Sequence, residues 1–253
     1  MSEQDEFRKF AKHLADISAN VIIPYFRTRI KIEKKRDQSP VTIADKKAED
    51  IMRKEIEKEF PDHGIVGEEF GNYKEDAEYK WVLDPIDGTK SFISGIAIFG
   101  TLIALMKNGK PVLGVINQPI INEFLIGDGK NSDLNGVSVK ARNCEDLSEA
   151  LLLTSDHLMI EKYQSRDKFD SLTHKVRLYR TWGDCFGYYL LATGFADIII
   201  DPIMSDWDKM ALIPIIQGAG GIISDYQGND PVTGNSIIAT VKQLHSKVIE
   251  ILN

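Results

Sequence analysis

Two aspartates three positions apart, Asp84 and Asp87, close an apolar run in the segment Trp81-Val82-Leu83-Asp84-Pro85-Ile86-Asp87-Gly88-Thr89. Carboxylates so spaced suit a hard cation, because Mg2+ takes oxygen ligands and usually shares its shell with substrate phosphate. Gly88 permits a sharp turn and close backbone approach, and Thr89 suits the start of a helix. The free N–H groups of such a helix start favour an anion, so a phosphate seat would lie beside the metal. The plain alternative is a polar turn after a core strand. Trp81 to Leu83 read as the end of a buried strand, whose pairing Pro85 is expected to stop.

Three further acidic spots can join the first. Glu68 and Glu69 follow Gly67 at the expected end of a short strand, where ligands often project from loops; paired acids are also common on exposed loops. Asp45 follows Thr42, and Asp208 follows Ser205, at the spacing of a capping box. Acids at helix starts complement the helix dipole without any catalytic duty. Glu68, Asp84, Asp87 and Asp208 together offer enough carboxylates for two or three hard cations, although spacing alone does not bring them together.

The elements that must position these acids alternate along the chain. Phe7, Phe10, Leu14, Ile17 and Val21 form one helical stripe that Pro24 ends or kinks. A second helix is expected after Thr42, with Ala48, Ile51, Met52, Ile56 and Phe60 inward and Pro61 as its stop. Ile65-Val66 is a short strand candidate. Thr101 to Met106 and Pro111 to Ile116 flank Asn108-Gly109, a hairpin signal, and Glu123 to Ile126 extends the meander. Leu151 to Leu153, Val176 to Tyr179 and Ala196 to Ile200 then read as strands, with a helix over Cys185 to Ala192 ended by Gly194. One helix is expected from Asp208 to Gln217, closing on Gly218, Gly220 and Gly221. Strands at Ile222-Ile223 and Ile237-Ile238 and a helix from Val241 to Leu252 complete the chain. This order predicts an α/β (α+β) fold of alternating helix and sheet layers rather than a simple Rossmann fold. One unit over 1–253 is expected, with approximate lobes 1–140 and 141–253.

Composition excludes several function classes. With 253 residues, 43% hydrophobic and 27% charged, the chain is long enough to bury a large core. A net charge of −7 leaves no basic surplus for nucleic acid or an anionic membrane. The basic cluster from Lys31 to Arg36 is broken by Ile32 and Glu33 and reads as a solvated loop or strand edge. No apolar run approaches the roughly 20 residues of a membrane span. Met1 to Glu6 are too polar for a secretory signal, and Cys144 and Cys185 are too few for a disulfide framework, so a cytoplasmic protein is expected. His13, His63, His157, His174 and His245 lack metal-ligand spacing.

Taken together, Gly67-Glu68-Glu69, Trp81 to Thr89, Trp207-Asp208 and the downstream Gly218-Ala219-Gly220-Gly221 resemble the inositol monophosphatase superfamily. Ser39-Pro40-Val41-Thr42-Ile43-Ala44-Asp45 fits as well, and the resemblance covers nearly the whole chain. It implies a five-layered αβαβα sandwich of the inositol monophosphatase / fructose-1,6-bisphosphatase type. It further implies a homodimer, often lithium-sensitive, that hydrolyses small phosphomonoesters with two or three Mg2+ ions. Glu68, Asp84, Asp87 and Asp208 match the family's metal carboxylates, and Ile86 would offer its carbonyl. Gly88 and Thr89 match the phosphate seat. Asp45 and Thr89 match the pair that orients and deprotonates the attacking water, with Glu69 nearby.

Within that superfamily the chain is most similar to the histidinol-phosphate phosphatase branch, which serves histidine biosynthesis. The similarity rests on Ser39 to Asp45, on Lys90-Ser91-Phe92 after Thr89, on Gly100 to Leu105 and on Gly114 to Pro119. It rests most on Trp182-Gly183-Asp184-Cys185-Phe186-Gly187-Tyr188, where the family contacts the leaving group. Asp184 and Asp201 would place negative charge near a cationic amine; the alternative for Asp184 is a helix cap. Asp206 departs from commoner versions of the motif. The competing readings are an inositol-1-monophosphatase, a 3′-phosphoadenosine nucleotidase and a catalytically idle dimeric scaffold.

Overall fold

The computed structural model describes residues 2–34 and 40–253. Ser39 of the upstream motif and Lys35 and Arg36 of the basic cluster lie outside the described residues. Helix α1 (Glu3–Ile22) opens in a capping box between Ser2 and Asp5. Its spacing turns Phe7, Phe10 and Leu14 inward, with Ile17 and Val21 half-buried beside them. Pro24 lies in the single 3-10 turn that follows. Strands β1 (Ile32–Lys34) and β2 (Pro40–Thr42) pair antiparallel and lead into α2 (Ile43–Glu59). Ala48, Met52 and Ile56 are buried on α2, whereas Ile51 and Phe60 are only half-buried.

A first sheet follows, from β3 (Gly64–Gly67), β4 (Gly71–Tyr73), β5 (Tyr79–Asp87), β6 (Gly100–Lys107), β7 (Lys110–Gln118), β8 (Glu123–Gly127), β9 (Ser132–Leu134) and β10 (Val137–Ser138), with α3 (Thr89–Ile93) after β5. The strand order is β10-β9-β8-β7-β6-β5-β3-β4, and β3 runs parallel to β5. Asn108 and Gly109 both take positive φ, 49° and 77°, as the predicted two-residue hairpin requires. Pro85 does not end β5. The pairing slips between Asp84↔Leu102 and Asp87↔Gly100, so the missing proline N–H falls at the irregularity. The Pro85 carbonyl accepts the Thr101 hydroxyl at 2.9 Å.

The second sheet has the order β12-β11-β13-β15-β14, built from β11 (Leu151–Leu153), β12 (Leu178–Arg180), β13 (Ile198–Asp201), β14 (Ile222–Ser224) and β15 (Ile237–Thr240). Between these strands lie α4 (His157–Tyr163), α5 (Arg166–Thr173), α6 (Asp184–Ala192), α7 (Asp206–Lys209) and α8 (Leu212–Gly218), and α9 (His245–Leu252) ends the chain. The expected single helix from Asp208 to Gln217 is therefore two. Pro214 has no N–H for the Met210 carbonyl and its ring would clash there, but it is tolerated in the first turn of a new helix. The last helix starts later than expected, because the Val241 N–H is held by the Asp197 carbonyl at 2.8 Å. The strand expected at Val176 begins at Leu178, and that expected at Ala196 begins at Ile198. Helices α4 and α5 had no clear counterpart in the sequence pattern.

Buried residues stack these parts into five layers. Phe7, Leu14, Met52 and Ile56 of α1 and α2 pack on Trp81, Leu83 and Ile103 of the first sheet. The alternate strand residues Val82, Leu102 and Ala104 face Tyr188 and Leu191 of α6 and Leu212 and Ile215 of α8, which Leu153, Ile199 and Ala239 cover from the second sheet. Leu152, Ile198, Ile200 and Ile238 project from its far face onto Ile160, Phe169, Val248 and Leu252 of the outer helices. The fold is thus α/β with layers αβαβα. Central strands read as continuous apolar runs because both their faces are covered. Among the described residues, no helix is long and apolar enough to cross a membrane.

Candidate active site

The β3–β5 pairing sets Gly67 opposite Leu83, and the Glu68 N–H reaches the Leu83 carbonyl at 3.3 Å, which brings Glu68 beside Asp84. Helix α7 brings Asp208 to the same place from the second half of the chain. One ligand atom each from Asp84, Asp87 and Asp208 lie within 4.8 Å of one another. In all three, one carboxylate oxygen accepts a backbone N–H. Asp84 Oδ1 accepts from Ile86 (3.0 Å), Asp208 Oδ2 from Ser205 (2.7 Å) and Asp87 Oδ2 from Cys185. Asp208 thus completes its capping box while facing the cluster.

Burial raises the pKa of every member of this trio, since a carboxylate loses its hydration there. Asp84 goes well above the usual range through burial and then the charges of Glu68, Asp87 and Asp208, and it also shares a hydrogen bond with Glu68. Asp87 goes well above it through burial and then Asp184 and Asp208, although Cys185 pulls the other way. Asp208 is pushed to about 7 by burial first, against the Ser205 N–H, and then by Glu68 and Asp201. Oxygen donors buried against one another need shared protons or a cation. An all-oxygen set of this kind fits a hard divalent ion, and Glu68, Asp84, Asp87 and Asp208 are the side chains that would hold it.

Gly88 has φ 83°, and a Cβ there would approach Asp184 Oδ2 to 2.9 Å, so glycine is required twice over. Helix α3 then starts at Thr89 with no side-chain cap, leaving its first N–H groups for a ligand. The Thr89 hydroxyl donates to the Ile86 carbonyl at 3.0 Å and lies 3.5 Å from Asp45 Oδ1. Asp45 Oδ2 accepts the Thr42 N–H (2.9 Å) and hydroxyl (2.6 Å). Burial nevertheless raises Asp45 above the usual carboxylate range.

Glu68, Asp84, Asp87, Gly88, Thr89 and Asp208 line a cleft of about 360 Å3 that also reaches Lys90, Asp156, Asp184 and Asp201; Asp45, which Thr89 approaches, is not among the described residues lining it. Asp184 takes φ 50°, rare outside glycine, and makes no helix cap. Ser155 fixes it by accepting its N–H at 2.7 Å, and Ser91 Oγ lies 3.4 Å from its carboxylate. Burial, then Asp201, push Asp184 up to about 6, while Lys90 opposes the shift. Asp201 is buried and accepts from the Ser155 N–H (2.9 Å) and the Tyr188 hydroxyl (2.8 Å). Lys90 pairs with Asp156 at 3.2 Å across the mouth. Glu69 is not among the described residues lining the cleft. Its N–H binds Glu49.

Glu49 was missed in the sequence. It accepts from Glu69 (2.7 Å), Phe70 (3.1 Å) and Arg53 (3.1 Å), and so holds the turn that carries Glu68. Its position four residues after Asp45, on the same helix face, and Gly67 beneath it were the available signals. A Cβ on Gly67 would stand 2.0 Å from Glu49 Oε1. Ser155, Tyr188 and the Cys185 N–H were likewise invisible, being distant in the chain from the acids they hold.

The model of the inositol monophosphatase family matches residues 3–253. The chain belongs to that family. Its members are metal-dependent phosphomonoester hydrolases, and this chain is accordingly a phosphatase. Family relatives include the bifunctional phosphatase IMPL2, chloroplastic, of Arabidopsis thaliana, 47% identical over 90% of this chain; the chain spans 66% of that protein. A histidinol-phosphatase of Chlorobaculum parvum is 37% identical, with 88% of this chain and 87% of that one covered. The structure of an inositol monophosphatase from Zymomonas mobilis superposes with a TM-score of 0.89 at 40% identity, covering 100% of this chain and 99% of that one.

Proposed function

We propose that this inositol monophosphatase family member hydrolyses histidinol phosphate, with two or three Mg2+ ions held by Glu68, Asp84, Asp87, Asp208 and the Ile86 carbonyl. Bound there, the ions would lower the pKa of an attacking water and neutralise charge on the phosphate and the leaving oxygen. Gly88 and Thr89 offer N–H groups to the phosphate. The Thr89 hydroxyl, backed by Asp45, orients the water and passes on its proton.

The observation that carries the substrate assignment is the charge of the leaving-group side. Among the described residues lining the cleft, Lys90 is the one cation, and Asp156 occupies it. Asp201 is met by neutral donors, and the Asp184 carboxylate has the Ser91 hydroxyl at 3.4 Å and the charge of Lys90, which is itself paired with Asp156. Asp184 is the acid available to an ammonium group, which histidinol has and inositol lacks. Relatives named histidinol-phosphatase support the reading. The 40% identity to the Zymomonas mobilis protein favours the second reading, an inositol monophosphatase.

The test is kcat/KM for both phosphates on wild type and Asp184→Asn, because discrimination resides in that ratio. Loss of a partly buried charge pair should cost histidinol phosphate about 2 kcal/mol or more, roughly 30-fold, and leave inositol phosphate unchanged. Equal losses for both substrates, or a wild type that prefers inositol phosphate, would remove the histidinol assignment and leave the phosphatase intact.

A further inference from the structure

Lys209 directly follows Asp208 in helix α7, yet it turns inward and is only 2% exposed. Its ammonium donates to the carbonyl oxygens of Pro231 (3.2 Å), Val232 (3.0 Å) and Gly234, all in the loop between β14 and β15. Asp206 pairs with the same nitrogen at 3.2 Å. An ammonium has three protons, and a buried one costs several kcal/mol of desolvation unless they are all used. Three carbonyls converging from one loop make a seat for a small monovalent cation, and here a tethered side chain fills it.

Helix α7 needs an anchor of this kind. A helix of four residues has little stability of its own, since nucleation fixes several residues for one hydrogen bond. Its capping box depends on the Asp208 carboxylate, the same group that faces Asp84 and Asp87. The box therefore cannot hold Asp208 independently of what Asp208 binds. Lys209 can, because its seat lies in a different segment and uses no atom of the acidic cluster. Met210 and Ala211 keep helical dihedrals into α8, so α7 is joined to α8 at its end, while Lys209 adds a separate tie to the loop between β14 and β15 that α8 does not make.

We propose that Lys209 is a positioning residue for Asp208: its seat in the Pro231–Gly234 carbonyls fixes α7 and thereby the geometry of the metal cluster. The proposal rests on the reading of Asp208 as a metal ligand. Partners that orient a ligand are worth about 10- to 100-fold in metal affinity. Calorimetric titration of the chelator-stripped full chain with Mg2+ should show Lys209→Met binding at least about tenfold more weakly than wild type. Substrate KM at saturating Mg2+ should not change. If Lys209→Met does not yield folded protein, the titration is made on Lys209→Arg, which keeps the charge but cannot converge on three carbonyls, and the same loss is expected. Unchanged Mg2+ affinity in the folded variant overturns the proposal, and a lower melting midpoint beside it would mark a purely structural tie. A wild type that binds no Mg2+ would instead sink the metal reading and this proposal with it.

Discussion

Glu49 and Asp84 are both buried acids serving neighbouring parts of one cleft, and the fold treats them in opposite ways. Burial lifts both above the ordinary carboxylate range. Around Glu49 every remaining influence pulls back down: two backbone N–H groups from Glu69 and Phe70 and the Arg53 guanidinium. Around Asp84 the charges of Glu68, Asp87 and Asp208 push further up. The first acid is compensated by donors of the protein itself. The second accepts one backbone N–H, from Ile86, and otherwise faces acids like itself, so it would need shared protons or a cation from outside. A buried acid that supports a fold and one proposed to support a reaction thus differ in what faces them, since their burial is alike.

The sharpest way to break this comparison is to remove the outside partner. Chelation with EDTA should reduce phosphomonoester hydrolysis to background, and added Mg2+ should restore it. Full activity in metal-free protein would show that the Asp84 cluster needs no cation. The next effect in size belongs to Thr89 and Asp45, the pair proposed to orient the water. Thr89→Ala should lower kcat by roughly two to four decades, as expected for a positioned acid–base element, with a nearly unchanged melting midpoint. Unaltered kcat in folded protein would dissociate Thr89 from the chemistry.

Substitution of the two acids then separates them directly. Glu49→Gln turns one acceptor oxygen into a donor, leaves one backbone N–H of the turn unpaired and should destabilise the protein by about 1–3 kcal/mol, while leaving measurable hydrolysis. Asp84→Asn removes one of several repelling charges, so the metal-free protein should melt no lower than wild type while hydrolysis falls to the level of the chelated enzyme. Melting curves in EDTA beside initial rates in Mg2+ test both. If the two variants shift stability in the same direction, the contrast fails.

The smallest effect is a pH dependence whose sign follows from the raised acids. In metal-free protein Asp208 is pushed from 3.8 to about 7. Between these values the folded state binds more protons than the unfolded one, so unfolding free energy falls as pH rises through the window. The chelated protein should therefore melt higher at pH 5 than at pH 7.5. Saturating Mg2+ should remove or invert that order, because cation and protons compete for the same oxygens. A metal-free midpoint that rises with pH across the window would contradict the placement of these acids.

What the chain alone determined was short-range. Asn108-Gly109 can hardly be anything but a tight hairpin, because both residues tolerate positive φ. Thr42 and Asp45 close a capping box within four positions, and Asp84-Pro85-Ile86-Asp87-Gly88-Thr89 sets two acids and a helix start within one turn of backbone. Tertiary structure decided the rest, because burial and long-range pairing choose among conformations that local dihedral preferences leave open. Pro85 was expected to stop a strand, yet the sheet absorbs it in a slipped register beside Thr101. Asp184 could read as a cap or a substrate acid, and only the folded chain shows φ 50°, the Ser155 contact to its N–H and a helix start without a side-chain cap. Asp87 draws its N–H from Cys185, 98 positions away, and Lys209 finds its carbonyls more than twenty residues downstream. No periodicity or spacing encodes such partners, since each depends on how the five layers stack.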